Sequence, residues 1–140
     1  VSKGAGVVTG QGAVGVIDAV SRNFSYARSF KNHEMNISAR LGEEGAVGPM
    51  SWDGLSSDGA ILREIPLHVE FEKGDTVYTS GYSSIFPPDI PLGTTGEAKI
   101  VNGATYDIEI SLFEDFGALR YVTIVENIGE EEIKKLEEGL

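Results

Sequence analysis

The run Gly74-Asp75-Thr76-Val77-Tyr78-Thr79-Ser80-Gly81, followed by Ile85-Phe86-Pro87-Pro88-Asp89-Ile90-Pro91-Leu92-Gly93, constrains the fold of this chain most. A Gly-Asp pair makes a tight turn, and Thr76 to Thr79 is a short stretch of β-formers. Gly81 stops the strand. Pro87, Pro88 and Pro91 each fix φ and lack an N–H, so the loop is rigid and feeds another strand. The segment therefore reads as turn, strand, proline loop, strand. It offers no nucleophile–base pair, no metal-ligand spacing and no phosphate cradle, which favours a binding or scaffolding module over an enzyme.

The rest of the chain repeats this grammar. Val7 to Thr9 and Ala13 to Val20 are strand candidates joined by a turn at Gly10-Gln11-Gly12. Residues 22–30 alternate strictly, with Arg22, Phe24, Tyr26, Arg28 and Phe30 on one face. Met35, Ile37, Ala39 and Leu41 point inward on the next strand. Pro49 interrupts residues 46–52 and predicts an edge strand or a bulge. Asn102-Gly103 is the strongest hairpin signal, and residues 106–112 follow with apolar even positions. Roughly ten short strands at turn-punctuated spacing give an all-β fold, a barrel or sandwich. A single helical turn fits residues 112–117, and the acidic stretch 130–140 reads as a short, frayed tail.

Charge narrows the partners. The 140 residues carry a net −11, which argues against nucleic acid and against docking of this domain on an anionic lipid surface. The charge is uneven: residues 1–42 hold five cations against two carboxylates, a net of +3, and the remainder carries −14. There are no cysteines, so disulfides, cysteine–zinc sites and thiol catalysis are excluded. No apolar run approaches the ~20 residues that span a bilayer, and no signal peptide is present. The chain starts at Val1 rather than Met, so a processed form or an excised fragment is expected.

Chemical motifs each have a plainer explanation. Gly10-Gln11-Gly12-Ala13-Val14-Gly15 matches G-x-G-x-x-G, but β-branched Val16, Ile17 and Val20 follow where a dinucleotide site needs a helix. Ser80 with His68 could form part of a two-barrel serine hydrolase, although G-x-S-x-G is absent. His33-Glu34 and His68-x-Glu70 lack further metal ligands. Asp53, Asp58 and Asp75 sit beside glycines, as turn residues do. Phe24, Tyr26 and Trp52 could stack on sugars as a glycan-binding module. The more economical reading puts Phe24, Tyr26 and Phe30 in a small barrel core, with Arg22 and Arg28 snorkelling to water. No metal and no cofactor is expected.

Segment 74–93 resembles the rod shape-determining protein MreC family, whose pattern is G-D-x-V-x-T-S-G and then F-P-x-G-I-x-I-G. The glycine–valine pattern at residues 6–16, the strand at 35–41, Trp52-Asp53-Gly54 and the strand 122–125 fit as well, so the likeness covers nearly all of residues 4–127. Asp89 stands where the family usually has glycine, and aspartate tolerates the left-handed region that such a glycine adopts. Thr95 stands where the family tends to place valine.

The resemblance implies two small, mostly antiparallel β-barrel subdomains, one inserted in the other: residues 1–20 with 74–128 in the first, 21–73 in the second, and 129–140 as the acidic tail. It implies a non-enzymatic scaffold of the bacterial cell-wall elongation complex, on the periplasmic side of the inner membrane, with an anchor and a dimerising coiled coil upstream. The implied partners are an elongation-class penicillin-binding protein, MreD, RodZ and MreB, with homodimers or higher self-association through open sheet edges. Tyr82, Ile85 and Phe86 are the expected partner contacts, because prolines pre-order them and lower the cost of binding. Phe86 has a second possible place, as the plug of a barrel end.

Overall fold

The computed structural model describes residues 2–29, 36–42, 45–82, 85–114 and 122–125. Ten strands run in order: β1 (Gly6–Thr9), β2 (Gly12–Val20), β3 (Ser25–Ser29), β4 (Ile37–Leu41), β5 (Val47–Trp52), β6 (Gly59–Pro66), β7 (Thr76–Thr79), β8 (Pro91–Val101), β9 (Thr105–Leu112) and β10 (Thr123–Val125). All recorded pairings are antiparallel. Six strands close a barrel in the order β4-β5-β6-β9-β8-β7, and the other four form a sheet, β10-β1-β2-β3. The all-β antiparallel architecture follows from the alternation: β4 buries Ile37, Ala39 and Leu41, and β9 buries Ile108, Ile110 and Leu112.

The grouping of strands differs from the expected division at residues 20 and 73. The barrel takes both 37–66 and 76–112, and it sits between β3 and β10 of the four-stranded sheet. The reason is closure. The inward faces of β4, β5 and β6 need cover on both flanks, and they find it by pairing Ala39 with Thr79 on one side and Ala60 with Ile110 on the other. Alternation says which face of a strand is buried; it does not say which strand lies beside it.

Local irregularities fit the sequence. Asn102 and Gly103 both have positive φ, 54° and 66°, and Ala104 N–H donates to Val101 O at 3.1 Å, the turn that joins β8 to β9. Pro49 lies in the closed barrel, not on an edge; the ladder between β5 and β6 covers Met50 to Trp52, past the proline. In β6 the register shifts between Leu62 and Ile65 around Glu64, whose φ of 62° marks a bulge.

The sheet is fastened to the barrel at two glycines. A Cβ on Gly12 would meet Pro91 O at 2.6 Å, and one on Gly6 would meet the Phe86 ring at 2.7 Å. This close approach, followed by strand β2 with no helix, is the structural role of the G-x-G-x-x-G run. Ala13 and Val16 join the barrel's core cluster, while Ala5, Val7, Val14 and Ile17 form a second, smaller one. Buried Glu114, just past β9, accepts a hydrogen bond from the Thr9 hydroxyl and ties the β1–β2 turn to the barrel end.

The expectations for Phe30, His33 and Met35, for a helical turn beyond residue 114, and for the acidic tail 129–140 lie outside the described residues.

Candidate functional site

Thr79 to Tyr82 and Ile85 to Ile90 are held together as a clamp. Thr79 is fully buried; its Oγ1 donates to Pro87 O at 2.7 Å and accepts from Ile90 N–H at 2.9 Å. Its backbone adds two more bonds, Thr79 N–H to Ile90 O at 2.8 Å and Asp89 N–H to Thr79 O at 3.0 Å. Ser80 N–H donates to Ser38 O at 3.0 Å, the two serine hydroxyls share a 2.8 Å bond, and Ser80 Oγ accepts Tyr82 N–H at 3.1 Å. Gly81 has φ 81°, and a Cβ there would meet Pro88 at 2.7 Å. Each residue of the Thr-Ser-Gly triplet thus has a mechanical reason: one hydroxyl for the loop's far end, one for its near end, and a missing side chain for the proline.

The loop sorts the three expected contact residues. Tyr82 is 73% exposed. Ile85 is half-buried and packs against the barrel core. Phe86 is 1% exposed and belongs to the core cluster itself, with its ring over Gly6. Phe86 is therefore corrected from a contact surface to a structural plug. A ring this large gains more from burial at the junction of sheet and barrel than any rigid loop could recover by displaying it.

Arg40 completes the site, and sequence reading missed it. It lies on the outward face of β4 between inward Ala39 and Leu41. Its Nη1 pairs with Asp89 Oδ1 at 2.7 Å, its Nε donates to Gly42 O at 2.8 Å, and its guanidinium lies 5.1 Å from the centre of the Tyr78 ring. Asp89 has φ 70°, the left-handed conformation expected of a residue standing in for glycine, and its carboxylate gives the loop a tie that glycine could not. Thr95 has a similar rationale. Its buried Oγ1 donates to Glu72 O at 2.7 Å and accepts Asp75 N–H at 3.0 Å, so it knots the Gly74-Asp75 turn, where valine could do neither.

The other candidate residues are not brought together. The hydrogen-bond partners of Ser80 are Ser38 and the Tyr82 amide. His68 is exposed just past β6, a strand separated from β7 by two others on either side of the barrel. Ser80 is thus a clamp residue. Asp53 accepts the amides of Leu55 and Ser56 at 2.8 and 3.1 Å, and Asp75 accepts Glu72 N–H at 2.8 Å, which is turn chemistry. Among the described residues no cluster of three or more histidine or carboxylate groups is placed to hold a metal ion. Trp52 lies in the barrel and donates to Ser56 O at 2.6 Å, whereas Phe24 and Tyr26 stand on the other sheet. Phe24 and Tyr26 are each 75% exposed, which overturns their expected place in a core.

Among the described residues, one exposed ion pair has perturbed titration, Lys73 with Glu97. Lys73 donates to Glu97, and that bond with its charge holds the ammonium above and the carboxylate below their ordinary values.

Comparison with known proteins follows the same lines. Residues 1–126 match the family model of the rod shape-determining protein MreC, barrel core. Among curated proteins no sequence match is found. Among solved structures, MreC from Listeria monocytogenes superposes with a TM-score of 0.83 at 23% identity, over 91% of this chain and 62% of that one. MreC from Pseudomonas aeruginosa gives 0.79 at 20% identity, over 89% of this chain and 81% of that one. The complex between penicillin-binding protein PBP2 and MreC from Helicobacter pylori gives 0.71 at 18% identity, over 88% and 77%. Identities this low show a shared fold; the match over residues 1–126 shows more.

Proposed function

The chain belongs to the rod shape-determining protein MreC family, and from that premise we propose that it is a non-enzymatic scaffold of the bacterial cell-wall elongation complex. Its partner on this reading is an elongation-class penicillin-binding protein; the Helicobacter pylori relative forms a complex with penicillin-binding protein PBP2. The work is done on the periplasmic side of the inner membrane, by recruiting and biasing a peptidoglycan synthase. MreD, RodZ, MreB and further copies of the chain are the other members of the assembly.

The observation that carries the reading is the clamped loop. Tyr82 is 73% exposed with its amide held by Ser80 Oγ, and Ile85 to Ile90 are fixed by Thr79 and the Arg40–Asp89 pair. A tyrosine held out on a rigid support loses little entropy on binding, and such aromatics dominate interface energetics. Ile85 is half-buried and packs against the barrel core. Catalysis would need reacting groups within hydrogen-bond reach of one another, whereas Ser80, Thr79 and Asp75 spend their polar atoms on backbone and on Ser38.

The test is a titration of the purified chain against the periplasmic part of an elongation-class penicillin-binding protein. Saturable binding that falls roughly ten-fold or more in Tyr82→Ala, with the unfolding midpoint unchanged, supports the proposal. No binding, or equal binding by the variant, counts against it.

A further inference from the structure

We infer that the β2–β3 hairpin is a second docking surface, a finger that contacts an anionic phospholipid surface. It is separate from the Tyr82 loop and does not depend on it. The last three residues of β2, the turn, and all five residues of β3 are exposed. Val20 is 44% exposed and Phe24 and Tyr26 are 75% exposed each. Arg22 and Arg28 are exposed too and, among the described residues, neither is ion-paired.

The finger is stiff at its tip. Ser21 N–H donates to Phe24 O at 2.7 Å, and the Ser21 hydroxyl bonds both the carbonyl and the amide of Phe24 at 3.1 Å. Two aromatics are thus 75% exposed each, with no core among the described residues to bury them, a closeness that soluble surfaces rarely show. An aromatic ring beside arginine suits the boundary between headgroups and acyl chains, where the ring finds apolar surroundings and the guanidinium finds phosphate.

Three occupants fit an apolar, basic tip: a lipid surface, a glycan and a second copy. Shape decides against a glycan. The depression between Ser21, Phe24, Ser25 and Tyr26 lies open, with no facing wall among the described residues, whereas small-ligand sites are concave and enclose what they bind. A broad surface suits a convex tip.

The net charge of −11 argues against any anionic surface only if the whole chain is felt at the tip. Three exposed residues separate buried Ile17 from the turn that begins at Ser21, so the turn starts four residue steps, about 13 Å, beyond the last buried position. That exceeds the Debye length of roughly 8 Å at physiological salt. The local charge over residues 18–29 is Arg22 and Arg28 against Asp18, and it is positive. The acidic barrel then turns the finger toward the membrane and itself away. A second copy, by contrast, brings another −11.

The experiment is co-sedimentation of the chain with phosphatidylcholine vesicles, with and without phosphatidylglycerol, at low and high salt. Binding is expected only with phosphatidylglycerol, and it fades as salt rises. Phe24→Ser with Tyr26→Ser should weaken it roughly ten-fold or more. Arg22→Gln with Arg28→Gln should weaken it roughly 25-fold, about five-fold for each charge. Both double variants change exposed side chains, so their urea midpoints should match the parent. Leu55→Ser, at an 89% exposed barrel position, is the control and should bind like the parent. Absence of vesicle binding, equal binding to neutral vesicles, or equal loss in the Leu55 variant overturns the inference. So does concentration-dependent self-association, or a muropeptide titration, that is lost with Phe24 and Tyr26 while vesicle binding stays.

Discussion

Phe86→Ala should cost about 3–5 kcal/mol, the range for truncating a buried phenylalanine. The ring is 1% exposed at the junction of the four-stranded sheet with the barrel, so its removal opens a cavity between two units that must stay joined. A domain of this size holds about 5–15 kcal/mol in total. The melting temperature should fall by roughly 6–20 °C at about 2–4 °C per kcal/mol. The structure also names the partner that makes the test specific. A Cβ on Gly6 would lie 2.7 Å from two atoms of the Phe86 ring. Gly6→Ala should therefore cost about 1–3 kcal/mol by overpacking in the parent, and much less once the ring is gone. Urea unfolding of the parent, both single variants and the double variant gives a coupling energy. A favourable coupling of about 1 kcal/mol or more between Gly6→Ala and Phe86→Ala is the expected result. Additive effects, or a Phe86→Ala variant as stable as the parent, would refute the placement of the ring.

Three further outcomes follow from the same contacts. Thr95→Val, nearly isosteric, should lose about 0.5–1.5 kcal/mol in urea unfolding, because it deletes both hydroxyl bonds and leaves Asp75 N–H and Glu72 O with only their own 3.2 Å bond. Asp89→Gly should cost about 0.5–1.5 kcal/mol, since relief of the left-handed backbone offsets only part of the loss of a half-exposed ion pair that ties the loop to mostly buried Arg40; Asp89→Val, β-branched at φ 70°, should unfold at clearly lower urea. The Lys73–Glu97 pair gives a sign for pH. With the Glu97 value lowered and the Lys73 value raised, the pair contributes at neutral pH. That contribution is lost as pH falls through the lowered Glu97 value, or rises through the raised Lys73 value. An NMR titration should show the Glu97 carboxyl titrating below an ordinary glutamate and returning to it in Lys73→Ala.

Strands, turns and burial faces were legible because they are local. Alternation in Ile37–Leu41 and in 106–112 names the inward side chains, and Asn102-Gly103 can hardly be anything but a hairpin turn. Partner strands were not legible. Nothing in residues 37–66 says that Thr79 lies beside Ala39, since that choice is made by the closure of the whole cylinder. The same blindness misplaced Phe86 and the aromatic strand in opposite directions. Phe86, in a proline loop, looked like surface and is core. Phe24 and Tyr26, at strand spacing, looked like core and are surface. An alternating pattern fixes which residues share a face, and only the neighbouring elements decide whether that face is covered. Arg40 left a faint signal, a charge on the outward side of a strand, but its pairing with Asp89 across 49 positions needs the fold.

Hydrogen–deuterium exchange of the chain, alone and with the periplasmic part of an elongation-class penicillin-binding protein, tests the scaffold reading most directly. Slower exchange on binding at residues 80–90, centred on Tyr82, with β3 unchanged, is the expected footprint. Protection confined to other strands, or none anywhere, would contradict it.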